Sequence, residues 1–301
     1  MRADLHSHTT CSDGEFTPLA LVTRAVAAGV THLAVTDHDT IAGLTAAGAA
    51  GRQAGVEIIP GIEITTRLNS RECHVLGHHL LPGAPGLADW CDRRRRDRHD
   101  RLREMTARLT SKGIVVDFEE VEREAAGATP GRPHLARVLV RRGYVRTFQE
   151  AFDRYLEPGK SGYVDRARPE AAEVIALVRA AGGTTSLAHP GVNRVSRAEL
   201  GALAQLGLDA VEAYHPDHPP QQAGDIARWA KDLKLFVTGG SDFHGVHTTS
   251  VELGARTTPK DSFEGLSQLA STRQGSERLA AARDQWARAT TAVPRLPGMP
   301  V

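Results

Sequence analysis

Cysteine is scarce in this chain of 301 residues: Cys11, Cys73 and Cys91 stand far apart and form no C-x-x-C pair. An odd number at such spacing excludes a disulfide framework and points to a reducing compartment. Charge of one sign is missing too, since 37 Lys and Arg face 36 Asp and Glu for a formal net charge of +1. That balance creates no whole-protein field for capturing nucleic acid, so any anion recognition has to be local. With only seven Phe and four Tyr, little is available for stacking a long single strand. No apolar run approaches the roughly 18 residues of a membrane span. The start, Met1-Arg2-Ala3-Asp4, meets polar residues before any signal-peptide core of roughly 7–15 apolar residues. These absences predict a cytoplasmic protein with no membrane partner. A G-x-G-x-x-G after the first apolar run is also lacking, which removes the main support for a dinucleotide-binding fold.

What is present is ordinary in bulk, with 41% hydrophobic and 24% charged residues. At roughly 150 residues per domain, the length suits two domains or one large α/β domain with an insertion. Short apolar runs alternate with helix-like segments from residue 1 to about 85. Thr17-Pro18 reads as a helix start and Gly29 as its stop. A strand follows at 31–36, an Ala-rich helix at 40–54, and apolar runs at 56–59, 62–66 and 73–81. This β-α-β-α-β rhythm calls for parallel strands with helices outside. One long polar helix spans 87–112, then Gly127, Pro130, Gly131 and Pro133 separate short helical segments near 134–142 and 147–156. Alternation resumes with strands at 184–188, 208–213 and 235–238, then one helical stretch around 262–288 and a frayed tail from Val293 to Val301. The expected organisation is an α/β barrel made of 1–99 and 166–301, interrupted by a mainly helical insertion at 100–165.

Histidine is the composition's outlier, with 14 residues unevenly placed. His6, His8 and Asp13 follow the first run, His38 the second, and Glu63 and His74 lie in the next ones; His189, Asp242 and His244 follow later strands. In a parallel barrel the strand ends meet on one face, where active sites are built. In H-x-H on a strand, residues two apart point to the same side, so both imidazoles can reach one cation. The pair Asp242/His244 repeats that geometry, and Glu63 has two oxygens with which to bridge neighbouring cations. Nine candidate ligands suit two or three ions at roughly four to six ligands each. Asp37 reads as an acceptor for an imidazole or a cap, Asp39 as a helix N-cap. Cys11 reads as a small buried hydrophobe, and His32, His78, His79, His99, His218 and His247 as surface or structural residues.

The stretches D-L-H-S-H-T-T-C-S-D-G, A-V-T-D-H-D-T, P-G-I-E-I, G-R-P-H, A-H-P-G, E-A-Y-H-P and G-S-D-F-H resemble the successive motifs of the PHP family (polymerase and histidinol phosphatase). Within that family they are most similar to the stand-alone, TrpH-like phosphoesterases. The resemblance implies a distorted (β/α)7 barrel with a di- or trinuclear metal site. Carried over residue by residue, His6, His8, Glu63 and Asp242 hold one ion. Glu63 with His74 and His189 holds a second, and Asp13, His38 and His244 hold a third. Mixed carboxylate and imidazole ligation favours Mn²⁺, with Zn²⁺ or Fe²⁺ as alternatives.

That ligand set implies phosphate-ester hydrolysis through a metal-bridging hydroxide, with His134 or His215 protonating the departing alkoxide. Arg132 and His134 in the insertion are the first candidates for gripping phosphate, since Arg offers a bidentate fork. Lys160, Tyr163, Arg194, Ser12 and Asp13 follow, and Arg98 and Arg101 point together from the long helix. Proteins of this resemblance act on nucleotides phosphorylated at both 3′ and 5′ positions, such as 3′-phosphoadenosine 5′-phosphate, and trim short RNA from its 5′ end. A mononucleotide or short 5′-phosphorylated oligoribonucleotide is the expected substrate, not long nucleic acid. Three alternatives stay open: a small-metabolite phosphatase of the histidinol-phosphate type, amide hydrolysis, and a non-catalytic metal-binding module serving a polymerase.

Overall fold

The structure is a computed structural model and describes residues 1–69, 71–125, 130–165, 167–246 and 251–291. Gly127, His247 and the expected frayed tail lie outside them. The first half of the chain builds a three-stranded parallel sheet, β1 (Ala3–Asp4), β2 (His32–Val35) and β3 (Glu57–Pro60). Helix α1 (Pro18–Ala27) connects β1 to β2, with Thr17 Oγ1 accepting from Ala20 N at 3.3 Å and Pro18 at the first turn, as the sequence predicts. Helix α2 (Leu44–Ala54) ends at Gly55, whose φ of 72° is left-handed. It starts later than expected, capped by Gly43 and not by Asp39.

A second sheet orders β4 (Ile62–Leu68), β5 (Arg71–His78), β6 (Thr184–Leu187), β7 (Ala210–Tyr214) and β8 (Phe236–Gly239). Here the expected parallel arrangement is corrected. β5 runs antiparallel to both β4 and β6. The turn between β4 and β5, with Asn69 at φ 49°, is too short to hold a crossover helix, so a hairpin is the geometry available. Leu5 N donates to Gly239 O at 3.2 Å, and the isolated bridges Ser7–Phe243 and His38–Glu63 join the extensions of the two sheets.

Helix α3 (Leu87–Thr110) opens against the main apolar core through Leu87 and Cys91. It ends in a second cluster, where Leu102, Met105 and Leu109 pack with α4 (Phe118–Ala125), α5 (Arg132–Arg141), α6 (Phe148–Ala151) and the π-helical turn Phe152–Leu156. The expected boundary at residue 100 therefore falls inside one continuous helix. Helices α7 (Ala171–Ala180), α8 (Arg197–Gln205) and α9 (Pro220–Asp232) alternate with β6–β8. The helical stretch expected around 262–288 is helical, as two helices, α10 (Lys260–Gln274) and α11 (Glu277–Thr291), parted at Gly275 and Ser276. Among the described residues, no helix is long and apolar enough to cross a membrane.

Candidate metal centre

The chain leaves β1 as His6-Ser7-His8, and both imidazoles are fully buried on one side. His6 Nε2 lies 3.4 Å from Glu63 Oε2 and 3.2 Å from Asp242 Oδ1; His8 Nε2 lies 3.3 and 3.2 Å from the same atoms. Glu63 is the hub. Its Oε2 also meets His38 Nδ1 at 3.0 Å, while its Oε1 meets His74 Nδ1 at 2.8 Å and His189 Nε2 at 3.2 Å. Asp13 faces His8, His38 and His244 at 3.9, 3.7 and 3.4 Å. All nine predicted ligands thus converge, although Glu63 comes from near the start of β4 and His74 from the middle of β5, not from strand ends.

Among the described residues three ligand groupings emerge: His6, His8, Glu63 and Asp242; His8, Asp13, His38 and His244; and His38, Glu63 and His74. The first is the set the resemblance implies. The others differ from it in sharing His8 and His38, and in leaving His189 beside Glu63 but outside the third. Whether these residues suit divalent cations is tested by their unpaired atoms. His6 Nε2, both ring nitrogens of His8, Asp13 Oδ1, His38 Nδ1 and Asp242 Oδ1 are buried without a hydrogen-bond partner. Buried polar atoms rarely stay unpaired, and these are the donor types that hard and borderline cations take. They fit.

Burial works against charge in Asp13, Glu63, Asp242, His6, His8, His38, His74 and His244. In the acids the surrounding imidazoles outweigh it, so Asp13, Glu63 and Asp242 sit well below the usual carboxylate range. In four bases the carboxylates outweigh it. Asp242, Glu212 and Glu63 raise His6 well above its ordinary value, Asp242 and Glu63 raise His8 against burial and His244, Glu63 brings His74 to about 9, and Asp13 and Asp242 bring His244 to about 10. For His38 burial prevails over Glu63 and Asp13, and its value is lowered. The cluster therefore balances its carboxylates with imidazole protons, which a bound cation would displace.

Several supports were not legible in the sequence as such. Glu212, buried in β7, takes His6 Nδ1 at 3.1 Å and His189 N at 2.9 Å, orienting one ligand and fixing the backbone of another. A charged residue within the apolar run of β7 is the signal that could have found it. Asp4 accepts from Ser241 N at 2.9 Å and Gly254 N at 2.7 Å, tying β1 to the segment that carries Asp242. Asp37 orients no imidazole; it accepts from Thr9 N, Thr9 Oγ1 and Ser12 Oγ, each at 2.7 Å, and so shapes the loop presenting Asp13. Asp39, at φ 55°, accepts from Thr65 N at 3.2 Å and from Arg98 Nε and Nη2 at 3.0 and 2.6 Å. His189 and Asp242 are left-handed as well, with φ of 29° and 49°. Non-glycine strain of this kind gathers at functional positions.

A cleft of about 120 Å³ opens beside Asp13, His38 and His74, and Arg98, Arg101 and Arg132 line it. Arg101 Nε also donates to Val164 O at 2.7 Å. Of the other candidate phosphate contacts, Ser12 is turned to Asp37, and Tyr163 OH donates to Asp165 Oδ1 at 3.0 Å. Lys160 and Arg194 are exposed and stand outside this lining. His134 Nδ1 accepts from Gly131 N at 3.0 Å, and burial pushes its value down to about 4. His215 Nδ1 accepts from Asp217 N, leaving Nε2–H to face Asp242 Oδ2 at 3.3 Å. Burial lowers its value, but Asp242 and Glu212 prevail and raise it.

The PHP domain matches residues 4–162, more than half the chain. The chain belongs to the PHP family. The 5′-3′ exoribonuclease Rnm of Escherichia coli (strain K12) is 35% identical to this PHP protein over 272 residues, covering 88% of the chain and 92% of the relative. The 3′,5′-nucleoside bisphosphate phosphatase of Chromobacterium violaceum is 32% identical over 246 residues, covering 80% and 86%. A crystal structure described as a metal-dependent phosphoesterase from Bifidobacterium adolescentis superposes with a TM-score of 0.81 at 33% identity, covering 88% of this chain and 95% of that one.

Proposed function

We propose that the protein, a metal-dependent phosphoesterase of the PHP family, removes the 3′-phosphate of nucleoside 3′,5′-bisphosphates and shortens small 5′-phosphorylated RNAs by the same chemistry. One observation carries this reading: a cage of eight His, Asp and Glu residues, with His189 beside Glu63, stands against a cleft lined in part by Arg98, Arg101 and Arg132. The cage suits the reacting ester, and the arginines suit a second phosphate one nucleoside away. The similarity to a 5′-3′ exoribonuclease and a 3′,5′-nucleoside bisphosphate phosphatase supports this reading.

His6, His8, Glu63 and Asp242 would hold one divalent ion, with Asp13, His38, His74, His189 and His244 serving one or two more; Mn²⁺ suits this mixed set. Such ions, when bound, polarise phosphoryl oxygens and make water a better nucleophile near neutral pH. The chain's own residues do the rest. Glu212 keeps the His6 ring turned inwards, and Asp39 holds the Arg98 guanidinium in one orientation beside the cleft. His215, with its raised value and its Nε2–H towards Asp242, is better suited than His134 to give a proton to the leaving oxygen. A distorted (β/α)7 barrel is the arrangement we assign to the strands, supported by the bridges that join the two sheets end to end. Residues 100–165 form its helical insertion, supported by their own apolar cluster. Three free cysteines favour a reducing cytoplasm.

The test is a panel assayed with added Mn²⁺: adenosine 3′,5′-bisphosphate, adenosine 3′-phosphate, a 5′-phosphorylated RNA trimer, a cyclic phosphodiester and histidinol phosphate. Release of the 3′-phosphate should dominate, and loss of the 5′-phosphate should lower kcat/KM by roughly 100-fold, the order expected for charge-assisted contacts to it. Equal rates with and without that phosphate, or preference for histidinol phosphate, would defeat the reading.

A further inference from the structure

We propose that Glu72 reads the sugar of the substrate: its carboxylate accepts a hydrogen bond from the hydroxyl next to the scissile ester, so that ribonucleotides are chosen over deoxyribonucleotides. This inference rests on the nucleotide reading above and names a residue that the reaction itself does not need.

Glu72 and His74 lie two apart on β5 and therefore share a face, opposite Arg67 and Thr65 of β4. Both line the cleft. Glu72 Oε1 is 3.7 Å from His74 Nε2 and 3.9 Å from Arg132 Nη2, while Oε2 accepts from Arg168 Nε at 2.7 Å. Arg168 is itself tied down, donating to Asp165 Oδ1 at 2.7 Å and to Tyr163 OH at 3.2 Å. A carboxylate is thus anchored in the wall of a cleft that Arg98, Arg101 and Arg132 also line, with a third of its side chain exposed.

An anion repels phosphate, so this one does not serve the phosphate groups. An ionised carboxylate only accepts hydrogen bonds, so what it recognises has to be a donor. On a nucleotide the donors are sugar hydroxyls and base amino groups. Position decides between them. The other ring nitrogen of His74 lies 2.8 Å from Glu63, the hub of the cage, so Glu72 stands just outside the reacting centre. A hydroxyl on the carbon beside the phosphate-bearing one lies within that reach, whereas base amino groups lie beyond the sugar ring. Holding His74, whose Nε2 stands 3.7 Å from Oε1, is the competing role, and Mn²⁺ affinity tells the two apart.

The experiment compares kcat/KM for adenosine 3′,5′-bisphosphate and its 2′-deoxy counterpart in wild type, Glu72→Gln and Glu72→Ala, with Mn²⁺ affinity measured alongside. Wild type should favour the ribonucleotide about ten- to hundredfold, the size of one hydrogen bond to a charged group. Glu72→Ala should bring the ratio close to one, with Glu72→Gln between. Because the ratio is taken within each variant, a partial loss of metal cancels, and the near-isosteric Gln variant carries the test should Ala fold poorly. A wild-type ratio near one overturns the proposal. So does an unchanged ratio in the variants with weaker Mn²⁺ binding, which would make Glu72 a support for His74. Turnover of neither compound defeats the proposed function; equal turnover of both defeats this inference alone.

Discussion

Glu212 and His78 show how much at the residue scale depends on burial. Glu212 has no route to solvent and holds His6 by its ring nitrogen. Glu212→Ala should weaken Mn²⁺ binding about 10–100-fold, the usual cost of losing an outer partner of a metal-binding histidine; a titration of the metal-free protein reads it. His6→Ala or Asp242→Ala should remove metal and turnover together, and activity surviving in a metal-depleted variant would contradict the scheme. His78 has a different role. Burial, and the charge on His6, push it down to about 4 although Nε2 donates to Leu5 O at 2.8 Å. The unfolded chain takes up that proton below about pH 6.5 while the folded one does not, so stability falls as pH drops from there to about 4. The loss should approach 2–3 kcal/mol at pH 4.5. Urea midpoints for wild type and His78→Gln at pH 7 and 4.5 check it, the variant losing less.

Backbone approach decides matters at the scale of elements. The segment after β8 crosses the extension of β1 at Gly240, where an added Cβ would run into the backbone and Cβ of His6. Gly240→Ala should therefore destabilise the fold by about 1–3 kcal/mol and displace His6, a proposed metal ligand, seen as a lower Tm together with weaker Mn²⁺ binding. Gly14 makes a similar approach, since a Cβ there would lie 2.6 Å from His8 O. Local signals served well where an element carries its own punctuation: Thr17-Pro18 and Gly29 around α1, Gly55 after α2, and the long run of α3. They misled where a partner strand decides. The hairpin of β4 and β5 reverses a strand that the β-α rhythm made parallel. Asp39 looked like a cap because it directly precedes a helix-like stretch, yet it is bound by Arg98 from a helix 59 residues away.

On the scale of the whole molecule, distant segments meet in a cage whose unpaired atoms leave stability to be gained from cations. Adding Mn²⁺ to chelated protein should raise stability by about 2.7 kcal/mol at a concentration of 100 times Kd. For a chain of this size that is roughly 4 °C in Tm. A thermal midpoint indifferent to Mn²⁺ would show that the cage does not bind it.

The identities of the nine predicted ligands were legible in the sequence, because strand periodicity and residue chemistry are local and each ligand type announces itself beside an apolar run. Which of them lie close enough to share a cation, which acids turn the rings, and which of the candidate phosphate-binding residues line the cleft were decided only by the tertiary structure. Those are questions of distance between side chains up to 236 residues apart, His6 and Asp242 among them, and no local pattern encodes them.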